Sequence, residues 1–256
     1  MSKRSARPRA VHAKPAWEML YGINPVEEAL IARRRRVRRL YLKGGSPSQR
    51  LTRIRDLAAE RGVSATFLPA PELEVLCGSA HHQGSALECA PLSPGEEAEA
   101  LNRAAGAGAV TLALDQVEDP QNFGAVVRNC AGFGAAALVV PRHHSAPLSP
   151  AASKASAGTL ESFPVYAAAN LPRFLDACRK RGIWIAGTAE SGETPLHRFD
   201  APLPLLVVLG SEGRGLRPLV RAKCDYAVSI STRGGASLNV ASAAAVLLYH
   251  LIRPAS

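Results

Sequence analysis

The chain has 256 residues, 47% of them hydrophobic and 20% charged, with a formal net charge of +10 and a pI near 9.8. That length accommodates two ordinary domains with a core that needs neither disulfides nor metal, and the basic excess calls for a polyanionic partner, nucleic acid before an anionic membrane surface. Cys77, Cys89, Cys130, Cys178 and Cys224 are odd in number and lack CxxC or Cys/His spacing, so neither a disulfide framework nor a zinc site is indicated.

In chain order, residues 1–16 carry Lys3, Arg4, Arg7, Arg9 and Lys14 without an acidic residue, the pattern of a disordered basic arm. It lacks the apolar stretch of a signal peptide, and no run in the chain reaches the roughly 20 apolar residues of a membrane-spanning helix. A cytoplasmic protein with no membrane partner is expected. From Trp17 the pattern becomes that of a small α/β domain over residues 17–90. Tyr21–Pro25 turns into a helix with Val26, Ala29 and Leu30 on one face. Arg33–Arg36, Arg38 and Arg39 follow, a cluster that is either a solvated face or a set of phosphate-binding groups. Strands are expected at Val37–Leu42, Ala65–Leu68 and Ser85–Glu88, and a helix over Gln49–Arg61 that Gly62 ends. The Pro- and Glu-rich stretch from Pro91 predicts a linker over 91–107.

The second domain, 108–256, alternates regularly. Apolar runs at Val110–Leu114, Ala137–Val140, Ile183–Gly187, Leu205–Leu209 and Tyr226–Ile230 suit buried parallel strands. Helices are expected at Gly124–Ala131, Leu171–Arg181, Pro218–Ala222 and Asn239–Ile252. The order predicts an α/β fold with a parallel sheet, whose ligands bind beyond the carboxyl ends of the strands.

Three polar loops follow such strands. The first, Asp115 to Gly124, holds Asn122 and leads into a helix carrying Arg128; Asn122 is either a helix cap or a cleft residue, and Arg128 either a solvated residue or its partner. The second, Gly210-Ser-Glu-Gly-Arg-Gly215, has glycines that allow close backbone approach to a flat ligand. It lacks the Lys-Ser/Thr of a phosphate-binding loop, and Glu212 repels phosphate, so an adenosine or a sulfonium cation suits it better. The third, Ser231 to Asn239, opens the last helix, where Ser237 and Asn239 could serve as caps alone. A dinucleotide fingerprint is excluded: Gly132-Phe-Gly134 lies between helix and strand in the wrong order, and Gly210–Gly215 has the wrong glycine spacing.

Taken together, Asp119-Pro-Gln-Asn122-Phe-Gly124 with Arg128, then Gly210 to Gly215, then Ser237-Leu238-Asn239-Val240-Ala241 resemble the three signature motifs of the SpoU (TrmH) RNA 2′-O-methyltransferases. Lys154-Ala-Ser-Ala-Gly158 with Glu161 resembles a further family segment. Tyr21-Gly22-Ile23 and His82-Gln83-Gly84 resemble the ends of the ribosomal-protein-like RNA-binding domain of the RlmB-like subgroup, which methylates a guanosine ribose of 23S ribosomal RNA. The sequence departs from the family at Ile230-Ser231-Thr232, where Ile-Pro-Met is usual, and in a loop to Ser237 one residue shorter.

The resemblance implies a SPOUT-like catalytic domain with a C-terminal trefoil knot, a homodimer with its active site near the subunit interface, and S-adenosyl-L-methionine as cofactor. It places the cofactor on Leu209, Gly210, Ile230 and Leu238 with Gly187 and Thr188 nearby. It makes Asn122, Arg128, Glu212, Ser237 and Asn239 the catalytic set, acting on a ribose 2′-hydroxyl of RNA. A transfer-RNA substrate and a non-catalytic RNA-binding paralogue are the alternatives. The presence of the whole catalytic set argues against the latter, and the N-terminal domain argues for ribosomal RNA.

Overall fold

A computed structural model describes residues 17–46, 48–189, 194–233 and 236–252, so the basic arm expected over 1–16 lies outside the described residues. The N-terminal unit runs β1 (Glu18–Tyr21), α1 (Ile23–Ala32), β2 (Val37–Lys43), α2 (Gln49–Ala59), β3 (Ala65–Leu68), α3 (Ala70–Cys77) and β4 (Ser85–Cys89). Its sheet has the order β1-β4-β2-β3, antiparallel except for the β2–β3 pair. In β2, Leu40 and Leu42 alternate inward while Arg39 and Lys43 are exposed, the period-2 pattern of a half-covered strand. Helix α2 starts at Ser48, whose side chain accepts from Leu51 N, and buries Leu51, Ile54 and Ala58 along one stripe. These pack with Leu20, Val26, Leu30 and Leu87 in one core.

The expected linker 91–107 is more structured than its composition implies. It holds α4 (Glu97–Ala104), whose Ala100 and Ala104 are fully buried against the second sheet, and Gly95 bridges Tyr166 in parallel. Small residues one turn apart let this helix lie close.

The second unit continues β5 (Val110–Asp115), α5 (Pro120–Phe133), β6 (Leu138–Pro141), α6 (Pro150–Ala155), β7 (Val165–Ala168), α7 (Leu171–Lys180), β8 (Trp184–Thr188), β9 (Thr194–Pro195), β10 (Leu205–Gly210), α8 (Pro218–Arg221), β11 (Tyr226–Ser229) and α9 (Val240–Leu251). The sheet is parallel in every pair, with the order β7-β6-β5-β10-β8-β11-β9. β5 and β10 lie side by side, from Leu205 opposite Val110 to Gly210 opposite Asp115. Every residue of β5 is buried, and each Val or Leu so covered contributes about 1.5–3 kcal/mol. From β5 the chain passes to β6 on one side, and from β10 to β11 on the other. Their carboxyl ends therefore flank the crevice where such sheets place ligands.

Candidate active site

The glycine loop is built by its own backbone. Ser211 bridges Gly215, whose N–H donates to the Ser211 carbonyl at 2.9 Å, and Gly213 and Gly215 take left-handed φ of 74° and 64°. A Cβ on Gly210 would lie 2.1 Å from the Gly215 carbonyl carbon. Glycine is therefore required at 210 because the loop folds back on the strand end, a reason distinct from approach to a ligand. Downstream, Arg217 anchors the loop to β5. Its backbone N–H donates to Asp115 Oδ2 at 2.9 Å and its Nε to Oδ1 at 2.7 Å, with the Asp115 side chain fully buried.

Glu212 joins the three loops. Its Oε1 accepts from Asn122 Nδ2 at 3.0 Å and from the backbone N–H of Val240, the first residue of α9, at 3.3 Å. Asn122 is free to do this because it is not the cap of α5. Asp119 is, accepting from the Asn122 N–H at 2.9 Å, and Pro120 occupies the first helical position. Asn239 does cap α9, accepting from Ser242 N–H at 2.8 Å. Arg128 stands six residues beyond Asn122 on α5, which turns it to another face of the helix. It is exposed, and among the described residues it has no hydrogen bond or ion pair and lines no part of the cavity below.

That cavity, about 480 Å³, opens at the carboxyl ends of β8, β10 and β11. Leu209, Gly210, Ile230, Ser237 and Leu238 line it, with Thr188 on the β8 side, where its hydroxyl donates to the Val208 carbonyl at 3.3 Å. Gly187 stands one residue back from the cavity, packed where a Cβ would meet Cys224 Sγ at 2.6 Å. Among the described residues Glu212 is the one charged group in the lining. A single carboxylate among hydroxyls, backbone and aliphatic side chains suits a cationic, partly apolar ligand and opposes a phosphate. S-adenosylmethionine, a nucleoside bearing a sulfonium, has that chemistry.

Sequence reasoning missed two supports. Asp115 and Arg217 fix the glycine loop, and the only sign was an acid at the end of an apolar run. Asn129 Nδ2 donates to the Ala241 carbonyl at 2.8 Å and ties α5 to α9; nothing in the sequence marks it.

The match to known proteins follows the same division. The chain belongs to the SpoU rRNA methylase family, whose model matches residues 109–249, while the family of RNA 2′-O ribose methyltransferase substrate-binding domains matches 19–95. With that membership go methyltransferase activity and S-adenosylmethionine as methyl donor. The chain is 39% identical to an uncharacterized tRNA/rRNA methyltransferase of Mycobacterium avium, over 92% of this chain and 77% of that one. It is 35% identical to the 23S rRNA (guanosine-2′-O-)-methyltransferase RlmB of Pseudomonas syringae pv. tomato, over 93% and 96%. Among solved structures it is similar to the SpoU methyltransferase AviRb of Streptomyces viridochromogenes in complex with AdoMet, with a TM-score of 0.77, 25% identity and coverage of 93% and 90%.

Proposed function

We propose that the protein methylates a guanosine ribose 2′-hydroxyl of 23S ribosomal RNA, as a cytoplasmic homodimer. The observation that carries this reading is a cavity whose lining carboxylate, Glu212, is hydrogen-bonded to the other two motif segments through Asn122 and Val240, in a chain 35% identical over 93% of its length to an RlmB. Residues 17–90, with the basic arm 1–16, bind RNA; 91–107 connect; 108–256 hold the catalytic site. The last strand-loop-helix segment is threaded as a trefoil knot, a reading supported by the loops of β8, β10 and β11 lining one cavity.

Leu209, Gly210, Ile230 and Leu238 hold the cofactor, with Gly187 and Thr188 shaping the β8 side, and Glu212 favours its positive charge. S-adenosylmethionine supplies, when bound, a methyl group already activated on sulfur. What remains to the protein is to position the ribose oxygen and to let its proton leave. A guanidinium has no acceptor atom, so Arg128 acts by stabilising the developing alkoxide and the adjacent phosphate through its planar fork. Asn122, Glu212, Ser237 and Asn239 orient it and the substrate. Arg128 turns away from its own chain's cavity, which supports a site completed at the dimer interface. The 2′-hydroxyl itself selects RNA over DNA.

Ribose-methylation mapping of total RNA from cells with and without the protein tests this. One 23S guanosine 2′-O-methyl group is lost without it and restored by the wild type. Arg128→Ala restores it at least about a hundredfold more slowly, on the order of 3 kcal/mol in the barrier. Loss of a transfer-RNA methyl group instead, no loss at all, or full restoration by Arg128→Ala contradicts the proposal.

A further inference from the structure

Three segments that take no part in the cavity meet at one place between the two units. Lys154 of α6 reaches the N-terminal unit, where its Nζ donates to the His81 carbonyl and to Gln83 Oε1, both at 3.0 Å, and sits 5.9 Å over the Tyr21 ring. Gln83 Oε1 also accepts from the Ile23 N–H at 3.1 Å. Gly22, at φ 97°, leaves room for that ammonium: a Cβ there would lie 2.5 Å from Nζ. Gly158, at φ 92°, lies against the other end of the same turn, where a Cβ would come 2.7 Å from the Asn24 carbonyl oxygen. Alongside, Arg35 is entirely buried and grips Glu161, equally buried, through Nε at 2.6 Å and Nη2 at 3.0 Å. Glu18 pairs with the same guanidinium, and Ser153 Oγ donates to Glu161 Oε1 at 2.7 Å. Burial works against the charge of Arg35, but its surroundings, the Glu161 carboxylate foremost and Glu18 with it, raise its pKa above the ordinary arginine value.

Domains joined by a linker ordinarily move against each other. A bidentate ion pair with both partners out of water tolerates little movement. A small separation leaves the guanidinium with Glu18 alone and the Glu161 carboxylate with only the Ser153 hydroxyl before water can reach either. The joint also touches the reaction centre through packing. Helix α6, which carries Ser153 and Lys154, abuts α5 at Gly124, where a Cβ would lie 2.5 Å from the Ala152 carbonyl oxygen. Helix α5 in turn carries Asn122 and Arg128.

We infer that this joint is a positioning device that fixes the RNA-binding unit of a chain against its own catalytic unit, so that a fixed span from bound RNA to the cavity selects the nucleotide methylated. Arg35, Lys154 and Glu161 are its positioning residues. The inference rests on the ribose methylation proposed above.

The test uses the full chain and two variants, Glu161→Gln and Lys154→Met; the latter removes a partly exposed ammonium and leaves the buried pair intact. Spin labels on V75C and L219C, at positions 83% and 73% exposed, report the span between units, with labelled protein diluted into unlabelled protein so that only distances within one chain count. Burial pushes the natural thiols up, Cys77 and Cys224 to about 11 and Cys89 and Cys178 to about 12, so the engineered thiols react first near neutral pH. The expected result is a distance distribution broadened in Glu161→Gln and, to a smaller degree, in Lys154→Met, which keeps the buried pair but loses the two hydrogen bonds to the 81–83 segment. With it go a kcat/KM for RNA lower by on the order of tenfold, methyl groups on neighbouring nucleotides, and unchanged S-adenosylmethionine affinity. Wild-type distances, or broadened distances with wild-type rate and site choice, overturn the inference. So does a loss of cofactor affinity in step with activity, the mark of a purely structural role. If the wild type transfers no methyl group to ribose, the functional reading fails, and the span measurement alone then still decides whether the joint is rigid.

Discussion

Gly210 stands at the tightest point around the cavity. A side chain there enters the backbone of Gly215 and also comes 2.5 Å from the Leu216 nitrogen, and backbone cannot swing aside as a flexible side chain can. Gly210→Val must therefore open the 211–215 turn, and Glu212 leaves Asn122 and Val240 with it. Overpacking of this kind costs about 1–3 kcal/mol and lowers the melting temperature modestly. Calorimetry with S-adenosylmethionine should nevertheless find binding lost. Gly213→Ala is the control, since a Cβ at 213 meets nothing within 4 Å, and it should keep most of the affinity despite its left-handed φ. Normal binding by Gly210→Val would show that the loop's closure does not shape the cavity. That glycine belongs at 210 is legible in the sequence, but the reason is not, because the atom it avoids is known only once the turn is built. Glu212 is similar. Its unsuitability for phosphate can be read from residue type, whereas its bond to Asn122 spans 90 positions and no local pattern carries it.

At the scale of elements, the arginine run before and within β2 divides into two environments. Arg35 turns inward to Glu161, and Arg34 donates to the Phe163 carbonyl at 3.1 Å. Arg36 and Arg38 lie over the Trp17 ring at 5.3 and 5.5 Å, and Arg39 over Tyr41 at 6.0 Å, all three exposed. Replacing Arg36 and Arg39 by Ala should weaken RNA binding and flatten its salt dependence, by about 0.7–0.9 log–log slope units for each phosphate no longer neutralised. Arg35→Ala should act on stability instead, by about 3–5 kcal/mol, because Glu161 is left buried without its partner. Dissociation constants at several salt concentrations, with melting curves, separate the two; an unchanged slope in the double variant would remove these arginines from the RNA surface. A run of like residues hides this division, since burial of one member depends on a carboxylate 126 positions away. The expected strands at β5, β6 and β10, by contrast, are legible because their apolar runs are buried on both faces. Helix α3 escapes notice because Leu73 is its one buried residue, and β7 because Val-Tyr-Ala-Ala is short and half alanine. Helix α4 is masked by the prolines and glutamates before it.

For the whole molecule, the parallel sheet collects loops that lie far apart in sequence at one edge, and the joint holds the RNA-binding unit beside it. The family and its chemistry were legible because three short motifs each follow a strand. The joint was not, since it depends on how two domains face each other. Methyl transfer to a ribose oxygen is the central claim, and nucleoside analysis after reaction tests it most directly. Purified protein is incubated with S-adenosylmethionine carrying a labelled methyl group and unmodified 23S ribosomal RNA, and the RNA is then digested to nucleosides and resolved by mass spectrometry. The account predicts label in 2′-O-methylguanosine, from one position in the RNA. Label in a base-methylated nucleoside, or no label in any nucleoside while the protein binds both S-adenosylmethionine and RNA, would contradict it.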